Sequence, residues 1–442
     1  MLRETTDSPS RVFWMCVFAT IACSDPGFGG TADDAERFVP IPLRSAITRV
    51  QPMTGIVLWA TSEHHRTDAI QLEYSYMKYN DVVGRDGSYN WDPVDRLLTE
   101  IADRGHQAIL RFYDVYPGHP TTVPDFIKDL PDYRETVALS EGKPTVFPDW
   151  SHPELQQFTL DFYARLSQRY DRDPRLAFLE TGFGLWAEYH IYDGPMRLGT
   201  TFPDKSFQAT FARWLERWFR QTPWLISVDA ADTGVSPYAE DPALLQIPFG
   251  VFDDSFLCRQ HGRVNTLNWN RLGRDRWKRA PAGGEFSYAT AHDQRNALAA
   301  RGPYGIPFEK AAADFHITFM IGNDQPRYWG LDRIRKAGLA CGYKFRILSF
   351  EASARRSRVW VSNTGVAPIY HDAYVTVDGV RATESLRLLL PGEMRRFIIN
   401  AGGANPRLAI TSDRLVEGQV IEYDADLESS ISAPLEVGLS LR

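Results

Sequence analysis

Residues 92–113 read DPVDRLLTEIADRGHQAILRFY, a helix followed at once by a buried strand. Asp92 stands at the start as a cap, Pro93 suits the first turn, and Val94, Leu97, Leu98, Ile101 and Ala102 recur on one face. Gly105 can end the helix, and 107–113 (QAILRFY) then runs as a strand with little polar alternation, as in a sheet covered on both sides. Helix and strand in direct succession are the repeating unit of a parallel α/β sheet.

The same grammar extends along most of the chain. Strands are expected at 55–60, 72–82, 107–113, 176–183, 224–230, 250–257, around 280–286 and at 316–323. A helix should start at Ser151, with Glu154 completing a capping box and Leu155, Phe158, Phe162 and Leu166 buried. Another carries Phe207, Phe211, Trp214, Leu215 and Trp218 on one face, and 328–337 closes the set. Between the third strand and Ser151 lies a long loop with Pro117, Pro120, Pro124 and Pro131. Eight strands with helices between them predict a (β/α)8 TIM barrel over 46–342.

Beyond Gly342 the period changes. Short strands are expected at 343–354, 358–362, 373–377, 384–390, 394–399, 407–412 and 419–423, divided by Asn363-Thr364-Gly365, Asp378-Gly379 and Pro391-Gly392. Residues 343–442 thus read as an accessory β-sandwich that packs on the barrel and supplies none of the catalytic carboxylates.

The N-terminal 1–23 reads as an export segment. The apolar run 12–22 is too short to span a bilayer and suits a signal core. Arg3 and Arg11 precede it, and Ala22-Cys23-Ser24 resembles a lipoprotein cleavage site with Cys23 as the anchor. Residues 24–45 follow as a flexible tether, so the expected product is an exported, surface or periplasmic lipoprotein, or else a secreted one. Cys258 and Cys341 are expected as free buried thiols rather than a disulfide.

Bulk composition narrows the function. The chain has 442 residues and a formal net charge of −7, which disfavours nucleic acid as a partner. No other segment is apolar enough to cross a membrane, which leaves the anchor as the only membrane contact. Phosphate-binding loops and the G-x-S-x-G elbow are missing, and no H-E-x-x-H or comparable metal spacing occurs, so neither metal nor cofactor is expected.

Two carboxylates remain as the chemistry. Glu188 lies in GLWAEYH (184–190) after the fourth strand, and Glu285 in GGEF (283–286) at the seventh. That is about three βα units at roughly 30 residues each. A barrel gathers the C-terminal ends of its strands on one catalytic face, and two carboxylates there suffice to cleave a glycosidic bond. Apolar neighbours suit Glu188 to the general acid/base, and the glycine pair places Glu285 as nucleophile. Arg111, Tyr113, Trp186, His190, Asp253 and Trp59 are candidate carbohydrate contacts from the same face. Asp254, Asp229, Asp232, His64 and His65 stand nearby as weaker ones.

These segments resemble a bacterial family of glycoside-hydrolase-like barrels with a C-terminal β-domain. The features that match are 79–83 with 87–92 (GSYNWD), 107–112 (QAILRF), the G-x-W-x-E-x-H stretch ending at His190, and Gly-Gly-Glu at Glu285. The resemblance implies an architecture similar to clan A glycosidases, with acid/base and nucleophile after strands four and seven, hence a retaining hydrolase of poly- or oligosaccharides. That clan has Asn before the acid/base where this chain has Ala187, which keeps Glu180 as the rival of Glu188. Two other functions fit the same cleft: a carbohydrate-binding lipoprotein without turnover, and a polysaccharide lyase using Arg111 and Tyr113.

Overall fold

The computed structural model describes residues 36–428. The export segment and residues 24–35 of the expected tether lie outside the described residues. Among the described residues, no helix is long and apolar enough to cross a membrane.

Eight parallel strands close a barrel: β1 (Gly55–Trp59), β2 (Leu72–Lys78), β3 (Gln107–Tyr113), β4 (Leu176–Glu180), β5 (Trp224–Ser227), β6 (Gly250–Phe256), β7 (Ala282–Phe286) and β8 (Phe319–Ile321). All eight fall where the sequence places them, though six end earlier, β1 and β6 by a single residue. β2 and β5 stop where the chain turns into short 3-10 helices at Tyr79–Asp81 and Val228–Ala231, and β8 is only three residues long. The helix forms at 92–102 where expected, but Asp92 is its first residue rather than its cap: Trp91 holds the cap position without a side-chain bond, and Asn90 Oδ1 accepts from Asp92 N at 2.9 Å. The next helix departs from expectation. It spans Pro153–Tyr170 and is capped by His152, whose ring accepts from Glu154 N, because Pro153 takes the first helical position.

Val57, Tyr74, Ile109, Phe178, Phe252 and Phe319 fill the barrel interior, while a larger apolar cluster seals the barrel against its helices. Since side chains alternate along a strand, the inward positions two residues further on are Trp59, Tyr76, Arg111, Glu180 and Asp254. Gly283 also faces inward, since a Cβ there would lie 2.3 Å from the Phe319 ring, and this aims Glu285 the same way. The interior is therefore an apolar plug capped by a polar layer at the C-terminal strand ends.

The chain after the barrel forms a β-sandwich. One sheet is built on Phe345–Ala352, Ser357–Asn363, Met394–Ile399 and Tyr423–Asp426, the other on Tyr374–Val377, Val380–Arg381 and Leu408–Thr411. Phe345, Ile347, Val359, Val375, Phe397 and Ile410 pack between them. The expected strand at 384–390 does not form, and the expected strand at 419–423 lies slightly later, at Tyr423–Asp426. The end of the expected tether is structured: Val39–Pro40 pairs with Phe345–Ala352, and Arg44–Ser45 with Tyr423–Asp426. Edge strands gain backbone partners by this, which a free linker cannot offer.

The sandwich segments meet the floor of the barrel, away from the polar layer. Arg414 donates to Asp171 O at 3.1 Å, Leu176 O at 2.8 Å and Thr222 Oγ1 at 3.0 Å, at the starts of β4 and β5. Gln107 Nε2 donates to Arg414 O at 2.7 Å, and Leu415 packs against the interior cluster. No carboxylate of these strands reaches the polar layer in any of these contacts.

Candidate active site

Glu188 is set by a loop that folds back on β4. Phe183 N and Gly184 N both donate to Glu188 O, at 3.3 and 2.7 Å, and Leu185 N donates to His190 O at 3.0 Å. Trp186 and Ala187 take left-handed backbone, φ 54° and 57°, which costs L residues roughly 1–2 kcal/mol each. Asn adopts that conformation more readily than Ala, so Ala187 departs from the family resemblance at a strained position. Such strain collects where a loop must hold a functional side chain.

Gly184 permits the fold-back. A Cβ on it would sit 2.0 Å from His190 O and 2.9 Å from Glu188 O. Gly184→Ala is therefore expected to displace Glu188; under the hydrolase reading proposed below this lowers kcat/KM by about 100-fold, with the far-UV spectrum unchanged. Wild-type kinetics in a folded Gly184→Ala protein would disprove the constraint. Gly284 plays the same part at β7, where a Cβ would meet Asp253 O at 2.2 Å.

Arg111 is the keystone. It is fully buried, and its guanidinium donates to Glu180 Oε2 through Nε at 2.9 Å and through Nη2. Nη1 donates to Asp254 Oδ2 at 2.8 Å, to Trp186 O at 3.3 Å and to Tyr76 Oη at 3.4 Å. One side chain thus ties β3 to β4, β6, β2 and the Glu188 loop. With no exposed surface, Arg111 lies beneath the strand-end face, ion-paired with Glu180 and Asp254.

Glu180, Glu188, Asp254 and Glu285 share this one buried cation. Burial pushes Glu188 well above the usual carboxyl range, with the Asp254 and Asp229 charges adding to it. Glu285 is raised likewise, by burial first and Asp254 next. Burial brings Glu180 to about 7, against the pull of Arg111. The side-chain carboxyls of Glu188 and Glu285 accept no hydrogen bond among the described residues, and Glu285 Oε1 is sealed from solvent without a partner. Orphaned buried polar atoms also include Trp59 Nε1, Tyr74 Oη, Glu180 Oε1 and Asp254 Oδ1. Native interiors rarely leave such groups unpaired, and those of Trp59, Glu180, Asp254 and Glu285 lie in the polar layer above Tyr74.

The remaining candidates divide cleanly. Trp59 and Tyr113 both border Tyr76, with ring centroids 6.0 and 5.8 Å away. Trp186 stacks on Tyr192 at 5.8 Å and 18°, and His190 on the same Tyr192 at 5.4 Å. Asp253 is a correction. Its Oδ1 accepts from Asn265 Nδ2 at 2.7 Å and Ser255 N at 2.9 Å, so it anchors the helix Gly262–Gly273 from the outer side of β6. The inward neighbour is Asp254, which accepts from Arg111 Nη1 at 2.8 Å. Asp232 caps its own turn through Gly234 N at 2.8 Å.

Asp229, by contrast, comes to the site. Its Oδ2 lies 3.7 Å from His190 Nδ1, which is also 3.7 Å from Glu188 Oε2. Glu188, His190 and Asp229 are the residues placed to hold a metal ion, their donor atoms all within 4.8 Å of one another. Linear spacing misses them because Asp229 arrives from β5.

No protein-family model matches the chain, and no curated protein matches its sequence. Its solved structural neighbours include glycoside hydrolases. A GH36 α-galactosidase of Geobacillus stearothermophilus, in complex with 1-deoxygalactonojirimycin, has 11% identity and a TM-score of 0.37, covering 79% of this chain and 55% of that one. Endo-glycoceramidase II from Rhodococcus sp., in a five-membered iminocyclitol complex, has 12% identity and a TM-score of 0.42 over 82% of this chain and 100% of that one. A GH5-4 broad-specificity endoglucanase from an uncultured bacterium has 12% identity and a TM-score of 0.36, over 66% and 85%. This chain spans about half the length of the α-galactosidase. Similarity at this level assigns no role to any residue here.

Proposed function

We propose that the protein is a glycoside hydrolase acting on a poly- or oligosaccharide, with Glu188 as general acid/base and Glu285 as nucleophile of a retaining mechanism. The observation that carries this is the pair of carboxyls without hydrogen bonds, Glu188 buried and Glu285 half-buried with Oε1 sealed, that the loop after β4 and β7 bring to the polar face around Arg111. A general acid must keep its proton near neutrality, and burial favours that at Glu188. Glu285 would attack the anomeric carbon, and Glu188 would protonate the leaving oxygen and then activate water. Trp59, Tyr113 and Trp186 offer ring faces to the sugar. Export, with Cys23 as a lipid anchor, and a division into barrel and accessory sandwich near residue 342 belong to the same reading.

The test is hydrolysis of a panel of plant, algal and bacterial polysaccharides and aryl glycosides. Glu188→Gln is expected to lose about 10²–10⁴-fold on polysaccharides and far less on aryl glycosides whose leaving group needs no proton. Binding without turnover in the wild type would instead support the carbohydrate-binding alternative. Full activity in Glu188→Gln on both substrate types would sink the Glu188 assignment and make Glu180 the next residue to test.

A further inference from the structure

We propose that Glu188, His190 and Asp229 form a binding site for a divalent transition cation, Zn²⁺ fitting best. The placement of the donors carries this, and it does not depend on turnover. His190 Nδ1 is buried without a hydrogen-bond partner and stands 3.7 Å from one oxygen of each carboxylate. Glu188 is itself buried, its side chain 12% exposed, with no hydrogen bond to its carboxylate among the described residues. Two unsatisfied groups therefore point at one small space between β4 and β5.

The dimensions fit a cation. Tetrahedral Zn²⁺ with bonds near 2.0–2.1 Å spaces its ligands about 3.4 Å apart. Both edges from His190 Nδ1 are 3.7 Å and all three donor atoms lie within 4.8 Å of one another, so closing on the ion takes shifts from about 0.3 Å up to about 1.4 Å. One imidazole nitrogen with two carboxylate oxygens is a borderline donor set. It suits Zn²⁺ or Co²⁺ better than Ca²⁺ or Mg²⁺, which favour oxygen alone. Three protein ligands leave one position open.

Supporting contacts orient two of the ligands. Asp229 Oδ2 accepts from Ser227 Oγ at 3.0 Å, and that hydroxyl accepts from Tyr189 N at 3.0 Å. The His190 ring lies stacked on Tyr192. Such outer contacts are what fix a metal ligand's rotamer and orientation.

A cation here would occupy the Glu188 oxygen that an acid/base needs free. The metal-loaded form is thus expected to be the inhibited form of the hydrolase, with a chelator restoring turnover.

The experiment is calorimetric titration of the chelator-treated full chain with ZnCl₂, without substrate, together with X-ray absorption at the zinc edge. Expected is one ion per chain, a shell of one imidazole with oxygen donors, and affinity at least about tenfold weaker in folded Asp229→Asn and His190→Gln. No saturable binding would overturn the site. So would undiminished binding in both variants, or a sulfur ligand, which would locate the ion at a cysteine. Because binding is read without substrate, failure of the hydrolase reading leaves this result intact.

Discussion

Glu285→Gln is expected to lower kcat/KM by at least about 10⁴-fold while leaving sugar binding nearly unchanged, as loss of a nucleophile does. The same substitution should stabilise the fold. Burial and the Asp254 charge raise the Glu285 carboxyl in the folded state, so the wild type loses stability as pH climbs from the unfolded carboxyl value, about 4.3, towards the raised folded one. Gln carries no charge and escapes that loss. The variant's advantage, about 0.5–2 kcal/mol, should therefore be small near pH 4 and grow towards neutrality, as read from urea midpoints across pH. A variant less stable than wild type at pH 7 would show that Glu285 has a partner in the resting protein.

Arg111→Met carries the largest expected cost to stability. It leaves Glu180 and Asp254 buried without their cation and releases the Trp186 carbonyl, so a loss of about 3–5 kcal/mol is expected, with loss of activity. Adding Glu180→Gln and Asp254→Asn should recover most of the stability, because the stranded charges are gone, and none of the activity. A cost below about 1 kcal/mol for Arg111→Met alone would mean that the three groups are not an ionic cluster.

The barrel was legible because its strands are covered on both faces. Residues 107–113 and 176–180 are nearly unbroken apolar runs, and both form strands buried at every position. What escaped was structure without an apolar stripe. The hairpin Thr136–Ser140 with Lys143–Phe147 lies inside a proline-bearing stretch read as loop, and two of the five residues of its first strand, Val137 and Leu139, are exposed. The helix Gly262–Gly273 buries Asn265 and Asn268 beside Trp269 and Leu272, so polarity hides its inner face.

At the site, strand parity held the missing information. With Phe252 in the interior, alternation puts Asp254 inside and Asp253 outside, yet the two look equivalent in the string Phe252-Asp253-Asp254. Arg111 was found as a residue, but its ties to three other strands depend on closure of the barrel. The meeting of Asp229 with His190 likewise needs β5 beside β4.

The most direct measurement is covalent trapping. The wild type, incubated with a panel of 2-deoxy-2-fluoro glycosides bearing good leaving groups, is digested and its peptides are mapped by mass spectrometry. A retaining hydrolase with Glu285 as nucleophile should carry one glycosyl adduct, on the peptide containing Glu285, and Glu285→Gln should carry none. An adduct on Glu180 or Asp254, or hydrolysis of the same sugars with inversion and no adduct, would contradict the assignment.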